Sequence, residues 1–205
     1  MEKCIVLAAG LSTRLGMPKQ LVRFKGRTLL EHTVAAVDGA MVGELVVVVP
    51  PIDEVVALVG RLGIPHVINP SPQTGMGASI CLGLGGLAPS GPTMICLVDQ
   101  PLLESAYLRS MWRAFHNNDG QKIIYSTYED TIGPPVIFPS DFDSELRRLV
   151  PRSGAKSLIL NNKIRSLGLP NHRLAFDVDT QADLARLGKI GALEGDKQGG
   201  LSDIF

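Results

Sequence analysis

Three short runs of this 205-residue chain, residues 4–9, 45–49 and 94–98, are almost purely apolar. None alternates apolar with polar positions. A strand exposed on one face must alternate, so these runs read as strands covered on both faces, as in a buried parallel sheet. Parallel neighbours need crossover connections, and helical patterns lie between the runs. Thr28 and Glu31 form a T-x-x-E capping box ahead of Leu30, Val34 and Val37 on one helical face. Further helices are expected over 54–62, through Met76, Ile80, Leu84 and Leu87, and over 103–115. This alternation predicts an α/β fold with right-handed crossovers.

The second half is less regular. Residues 122–127 and 135–138 read as strands around a Gly133-Pro134-Pro135 turn, and 174–178 as another strand. Ser140 and Asp143 can cap a helix carrying Phe142, Leu146 and Leu149; a short helix ends at Leu160; Thr180 and Asp183 cap a last helix with Leu184 and Leu187. A chain this long, 45% hydrophobic, buries roughly 70% of its unfolded surface, enough for one core. One domain is expected over 1–193, with 194–205 a mobile tail.

Lys plus Arg and Asp plus Glu are both 20. With no net charge and no basic run, nucleic acid and anionic membranes are not expected partners, so any phosphate site must be built locally. No apolar stretch approaches the ~20 residues that span a bilayer. Cys4, Cys81 and Cys96, with no C-x-x-C, read as buried free thiols of a cytoplasmic protein. The four histidines show no metal spacing.

The chemistry gathers where apolar runs end. After the first comes Leu7-Ala8-Ala9-Gly10-Leu11-Ser12-Thr13-Arg14-Leu15-Gly16-Met17-Pro18-Lys19. Ligands of open α/β sheets bind beyond the carboxyl ends of strands. Ala8, Ala9 and Gly10 permit close backbone approach, loop amides can cradle phosphate, and Arg14 and Lys19 add a guanidinium fork and a point charge. The Walker pattern G-x-x-x-x-G-K is absent. An ordinary loop with solvated cations is the alternative. After the third run stands Asp99, in Leu97-Val98-Asp99-Gln100-Pro101. A carboxylate there needs a partner or a metal, or else serves as a turn residue before Pro101. On a strand, Asp177 and Asp179 would share a face and repel unless a cation joined them. Magnesium takes one or two carboxylates plus phosphate oxygens, and Asp99 with Asp179 is the candidate pair; helix capping is the other reading of Asp179. The string from Asn69-Pro70 to Gly75-Met76-Gly77-Ala78-Ser79 opens the third helix, whose N-terminus suits an anion or a carbonyl oxygen, while Ser79 can bond a base or sugar; a loop and a core helix explain it equally. Arg152 and Lys156, beside another helix start, form a second phosphate pocket or a solvated helix end.

Taken in order, these strings resemble the MobA-like nucleotidyltransferases, and within them the molybdenum cofactor cytidylyltransferase branch. The first matches L-A-A-G-x-S-x-R-[ML]-G-x-P-K at every fixed position. G-M-x-x-S follows at 75–79, D-Q-P at 99–101, G-A-[RK]-x-L at 154–158 and D-x-D-T at 177–180. The match runs from Lys3 to about Gly188. It departs at Val98, where glycine is usual, and at Pro134, where Asn or His is usual.

The resemblance implies a three-layer αβα, Rossmann-like domain of the glycosyltransferase-A type with a mostly parallel central sheet. It implies transfer of CMP from CTP to the terminal phosphate of a molybdopterin cofactor, with release of pyrophosphate. Leu7, Ala8, Ala9, Gly10, Arg14, Lys19 and Ser79 carry over as nucleotide contacts, and Gly154, Ala155 and Lys156 as acceptor contacts. Asp99 and Asp179 carry over as ligands of Mg2+; Lys19, Arg14 and Asp99 are the catalytic set. The attacking phosphate is already anionic near neutral pH, so no general base is required. Ala9 and Pro18 resemble the cytidylyl branch, with GTP the other nucleotide. A client molybdoenzyme is a further expected partner. Two rivals are kept: another acceptor, such as a sugar phosphate or methylerythritol phosphate, and a non-catalytic module that binds and delivers nucleotide or cofactor. Intact Arg14, Lys19 and Asp99 favour an enzyme.

Overall fold

A computed structural model describes residues 1–40 and 43–199, with side chains described as far as residue 192. Its strands are β1 (Glu2–Leu7), β2 (Arg23–Phe24), β3 (Arg27–Thr28), β4 (Gly43–Val49), β5 (His66–Ile68), β6 (Thr93–Leu97), β7 (Ile123–Tyr128), β8 (Thr131–Phe138) and β9 (Ser166–Pro170). Its helices are α1 (Leu29–Asp38), α2 (Asp53–Arg61), α3 (Met76–Gly85), α4 (Ser105–His116), α5 (Asp143–Arg147), α6 (Lys156–Asn161) and α7 (Gln181–Gly199). Seven strands form one sheet in the order β5-β4-β1-β6-β8-β7-β9, and β2 and β3 form a small hairpin. Only β8 runs against its neighbours; the other sheet pairings are parallel.

The continuous apolar runs are explained by period-two burial. From β1 into the following loop, Cys4, Val6 and Ala8 pack with α1, α2 and α4 on one face. Ile5, Leu7 and Ala9 pack with α3, α5 and α6 on the other. Each fully buried branched side chain contributes about 1.5–3 kcal/mol, which is why central strands tolerate no polar alternation. The result is the expected three-layer arrangement. At α1 the capping box is present on both sides: Thr28 Oγ1 accepts from Glu31 N, and the Glu31 carboxylate accepts from Thr28 N at 2.7 Å.

Four expectations are corrected, three of them in the second half. The β7–β8 turn is at Glu129 and Asp130; Gly133, Pro134 and Pro135 lie within β8, where a register shift opposite Tyr125 and Ser126 accommodates two residues that cannot donate to a ladder. Residues 174–178 form no strand. His172–Ala175 is a 3-10 turn, and the alternate apolar residues Leu174, Phe176 and Val178 are buried by packing alone. β9 arises where no strand was expected, because its half-buried SLGLP sequence carries little apolar signal. Cys81 is exposed, while Cys4 and Cys96 are buried. Helix α7 runs to Gly199, through the first part of the segment expected to be a tail; residues 200–205 lie outside the described residues.

Candidate functional site

β1 and β6 are parallel neighbours, with Leu7 beside Leu97, so the loops after both strands leave the same edge of the sheet. A third segment joins them: Val178 N donates to the Asp99 carbonyl at 3.0 Å. This one backbone bond brings the 177–180 string beside Asp99. Pro18 then starts a 3-10 turn at Lys19, whose amide donates to Ser12 Oγ at 3.1 Å. The turn aims Lys19 inward. Its ammonium donates to Asp99 Oδ2 at 2.9 Å and to Asp179 Oδ1, while Arg14 donates to Asp179 Oδ2 at 3.0 Å. Residues 80 and 160 positions apart thus share one ion-pair cluster.

Burial grades the cluster. The Lys19 side chain is 9% exposed, Asp99 19%, Asp179 37% and Arg14 71%. Burial alone would lower the Lys19 pKa, but attraction to Asp99 and hydrogen bonds to both carboxylates outweigh it and hold the pKa above the usual value. The lysine is therefore a fixed cation, whereas the exposed Arg14–Asp179 pair contributes at most ~1 kcal/mol. Asp177 does not join the pairing. Its Oδ1 is buried without a hydrogen-bond partner, and burial, then repulsion by Asp99 and Asp179, pushes its pKa up to about 7.

A cleft of about 220 Å³ opens beside the cluster, lined by Leu7, Ala9, Gly10, Lys19, Ser79 and Asp99 among others. Ala8 is turned away: its side chain is in the opposite core and its carbonyl is held by Gln20 Nε2, which also donates to the Gly10 carbonyl at 3.0 Å. Arg14 reaches the cluster from outside the cleft lining. The loop keeps several amides for itself, since Leu15 N and Gly16 N both donate to the Ser12 carbonyl. The start of α3 is not open to an anion: Gly77 N and Ala78 N donate to Pro151 O at 2.9 and 3.4 Å. That carbonyl fills the role sequence reasoning gave to a ligand. Gly75 sits at φ +117, where a Cβ would lie 2.5 Å from Pro151 O, so only glycine permits this seam.

A second cavity of about 210 Å³ lies between β8, α3 and α6. Gly154, Ala155 and Lys156 line it with Tyr128 and Pro134, and Met76 lines both spaces. Lys156 Nζ donates to Thr131 Oγ1 at 3.2 Å. Arg152 lines neither space. Val98, the unusual residue before Asp99, also lines the cleft and packs into the α1–α4 core.

Four supporting side chains were given no role by the sequence, although Gln100 lies in the D-Q-P string and Asn69 opens the 69–79 string. Gln20 holds the first loop. Buried Gln100 donates to Pro134 O at 3.2 Å and Leu174 O at 3.4 Å, tying β8 to the 172–176 segment. Gln181 donates to the Leu15 carbonyl. Asn69 donates to Ser79 Oγ at 3.0 Å. Polar residues that hold backbone carbonyls have no fixed spacing from the groups they serve.

Among the described residues, no group of three or more His, Cys, Asp or Glu could hold a metal unaided. The donor set nevertheless fits a hard divalent cation shared with phosphate. Asp99 Oδ1 is buried and has no hydrogen-bond partner, and Asp179 stands across the same lysine.

A charged cluster at the carboxyl edge of a doubly covered, mostly parallel sheet defines a Rossmann-like α/β domain of the nucleotidyltransferase class. Residues 4–166 match the MobA-like NTP transferase domain family, and the chain belongs to that family. The Bifunctional protein GlmU of Paraburkholderia phymatum is 29% identical over 154 residues, covering 74% of this chain and 33% of that protein; the chain spans about a third of the curated relatives it first matches. A probable molybdenum cofactor guanylyltransferase of Bacillus mycoides is 50% identical over 50 residues, 23% of this chain and 24% of that one. The crystal structure of Rv0371c from Mycobacterium tuberculosis H37Rv superposes with a TM-score of 0.75 at 27% identity, covering 91% of this chain and 96% of that one. A structure of Rv0371C in complex with manganese gives 0.72 at 26% identity, covering 91% and 97%. No helix among the described residues is long and apolar enough to cross a membrane.

Proposed function

We propose that the chain transfers a nucleoside monophosphate, CMP from CTP, onto the terminal phosphate of a molybdopterin-type cofactor and releases pyrophosphate. The observation that carries this reading is Lys19 held between Asp99 and Asp179 beside the cleft of Leu7, Ala9, Gly10 and Ser79. Leu7, Ala9, Gly10 and Ser79 hold the nucleoside, and Arg14 and Lys19 hold the triphosphate. Asp99 and Asp179 would hold a divalent cation, magnesium in this reading, which supplies further charge neutralisation at the triphosphate. The manganese complex of the Mycobacterium relative supports a divalent ion.

The acceptor phosphate attacks the α-phosphorus. One phosphorus–oxygen bond forms, the α–β bridging bond breaks, and pyrophosphate leaves with the electron pair. No protein group has to take a proton. The protein's contribution is alignment and charge: Lys19 stays cationic because two carboxylates flank it, so it meets developing negative charge without reorganisation. The second cavity, with Lys156 its charged lining residue, takes the acceptor together with Gly154 and Ala155. A second reading, guanylyl transfer from GTP, is favoured by the Bacillus relative.

Pyrophosphate release is the test, measured with CTP, GTP and ATP, with and without molybdopterin cofactor and Mg2+. The proposal expects release only with CTP, acceptor and metal together. GTP preference would select the second reading, and nucleotide binding without release would leave a delivery module.

A further inference from the structure

Ser79 is the one uncharged polar side chain lining the cleft; apart from Lys19 and Asp99, the rest of the lining is apolar or glycine. How its hydroxyl is presented can therefore set what the cleft accepts. The neighbouring Asn69 fixes that. Ser71 N, which can only donate, lies 2.9 Å from Asn69 Oδ1. That contact identifies the amide oxygen and turns Nδ2 toward Ser79 Oγ, 3.0 Å away. An amide nitrogen also only donates, so the serine oxygen is the acceptor in this bond. Both residues are buried, Asn69 at 1% and Ser79 at 5% exposed. No described residue accepts the Ser79 proton.

We infer that Asn69 is a positioning residue: by occupying one lone pair of Ser79 Oγ it leaves the Ser79 proton to be donated into the cleft, where it pairs with an acceptor atom on the edge of the nucleotide base. The inference rests on the nucleotidyltransferase reading and adds to it the polarity of base recognition. The chain of contacts runs from the Ser71 backbone through the amide to the hydroxyl, so the donor is set before ligand arrives. A base whose matching edge atom carries a hydrogen could use only the remaining lone pair and would leave the buried Ser79 proton unpaired, so it is disfavoured.

Asn69→Asp tests the polarity. The aspartate still accepts from Ser71 N, so the loop keeps its tie, but its other oxygen can only accept and takes the Ser79 proton. Dissociation constants are measured on the full chain for CTP, UTP, GTP and ATP with Mg2+. Ser79→Ala and Asn69→Asp are each expected to weaken CTP roughly tenfold, about the effect of one lost hydrogen bond. The double variant N69D/S79A is expected to lose about tenfold rather than a hundredfold, because both changes remove the same donor. A hundredfold loss in the double variant would mean that the new carboxylate acts by charge or misfolding, and would overturn the inference. So would unchanged CTP binding in N69D, or an N69D penalty equal for all four nucleotides, which would assign the hydroxyl to the sugar. If N69D does not fold, Asn69→Ala replaces it, and its penalty must also vanish on the Ser79→Ala background. Wild-type protein that binds no nucleotide would overturn the enzymatic reading as well; wild-type binding with a silent N69D overturns this inference alone.

Discussion

The two spaces at this edge of the sheet are nearly equal in size, about 220 and 210 Å³, share Met76, and are chemically unlike. The first stands against Lys19, Asp99, Asp179 and Arg14, drawn from three distant parts of the chain. The second is enclosed by β8, α3 and α6 and has Lys156 as its one charged lining residue. On the proposed function, charge is concentrated where bonds to phosphorus are to be made and broken. The neighbouring cavity needs mainly shape. Met76, at the start of α3, is common to both.

If this division holds, changes in the cluster should act on turnover and changes in the cavity on acceptor affinity. The largest expected effect is that of Asp99→Asn. It removes the negative charge of the carboxylate whose Oδ1 is unpartnered and whose Oδ2 pairs with Lys19. Magnesium-dependent pyrophosphate release should fall by ~10³-fold or more, at the upper end for a preorganised electrostatic group. Metal-dependent turnover that persists in this variant would break the assignment of the cluster. Lys19→Ala comes next. Loss of one fixed donor should lower kcat by ~10²-fold. It also leaves Asp99 and Asp179 facing each other without their cation, so metal affinity measured by calorimetry should not fall in parallel with turnover. Near-normal pyrophosphate release would move catalysis elsewhere.

The same contrast explains what could be read from the sequence. Around the first space, local pattern and tertiary role coincide. The 7–19 string sits after a continuous apolar strand, and Asp99 ends another, so position relative to the sheet was legible from hydrophobicity alone. The approach of Asp179 was legible only as an expectation, because Val178 N to Asp99 O is a single non-local bond that leaves no periodic trace. Elsewhere, patterns mislead. Leu174, Phe176 and Val178 alternate like a strand but are buried at the edge of the core without a ladder. The Gly133-Pro134-Pro135 string looks like a turn but is a bulged stretch of β8. The start of α3 looks like an anion site, yet Pro151, more than seventy residues later, caps it.

Lys156→Ala sharpens the contrast at smaller scale. The side chain reaches Thr131 from the first turn of α6 and is a partly solvated cation, so its removal should not disturb the cluster around Lys19. KM for the phosphorylated acceptor should rise about tenfold, equivalent to ~1.4 kcal/mol, while nucleotide affinity stays constant. A matching loss of nucleotide affinity would show that the two spaces work as one.

The smallest effect concerns Asp177, which influences both spaces: it is repelled by the cluster and in turn helps push Tyr128, in the cavity wall, up to about 12 after burial. Its own pKa rises from 3.8 to about 7. Below pH 4 the carboxyl is protonated in folded and unfolded chains alike and costs nothing. Between about 4 and 7 the unfolded chain loses the proton while the folded chain keeps it, so rising pH progressively favours unfolding, and above 7 the full cost remains. Asp177→Asn abolishes that titration. With a chelator present, the variant should melt close to wild type at pH 4 and a few degrees above it at pH 8, for about 1 kcal/mol after allowance for partial solvation. A gain of the same size at both pH values would mean that the asparagine simply packs better. A loss at pH 8 would mean that the ionised Asp177 carboxylate stabilises the fold, and the division between charged cleft and apolar cavity would then fail at the residue that joins them.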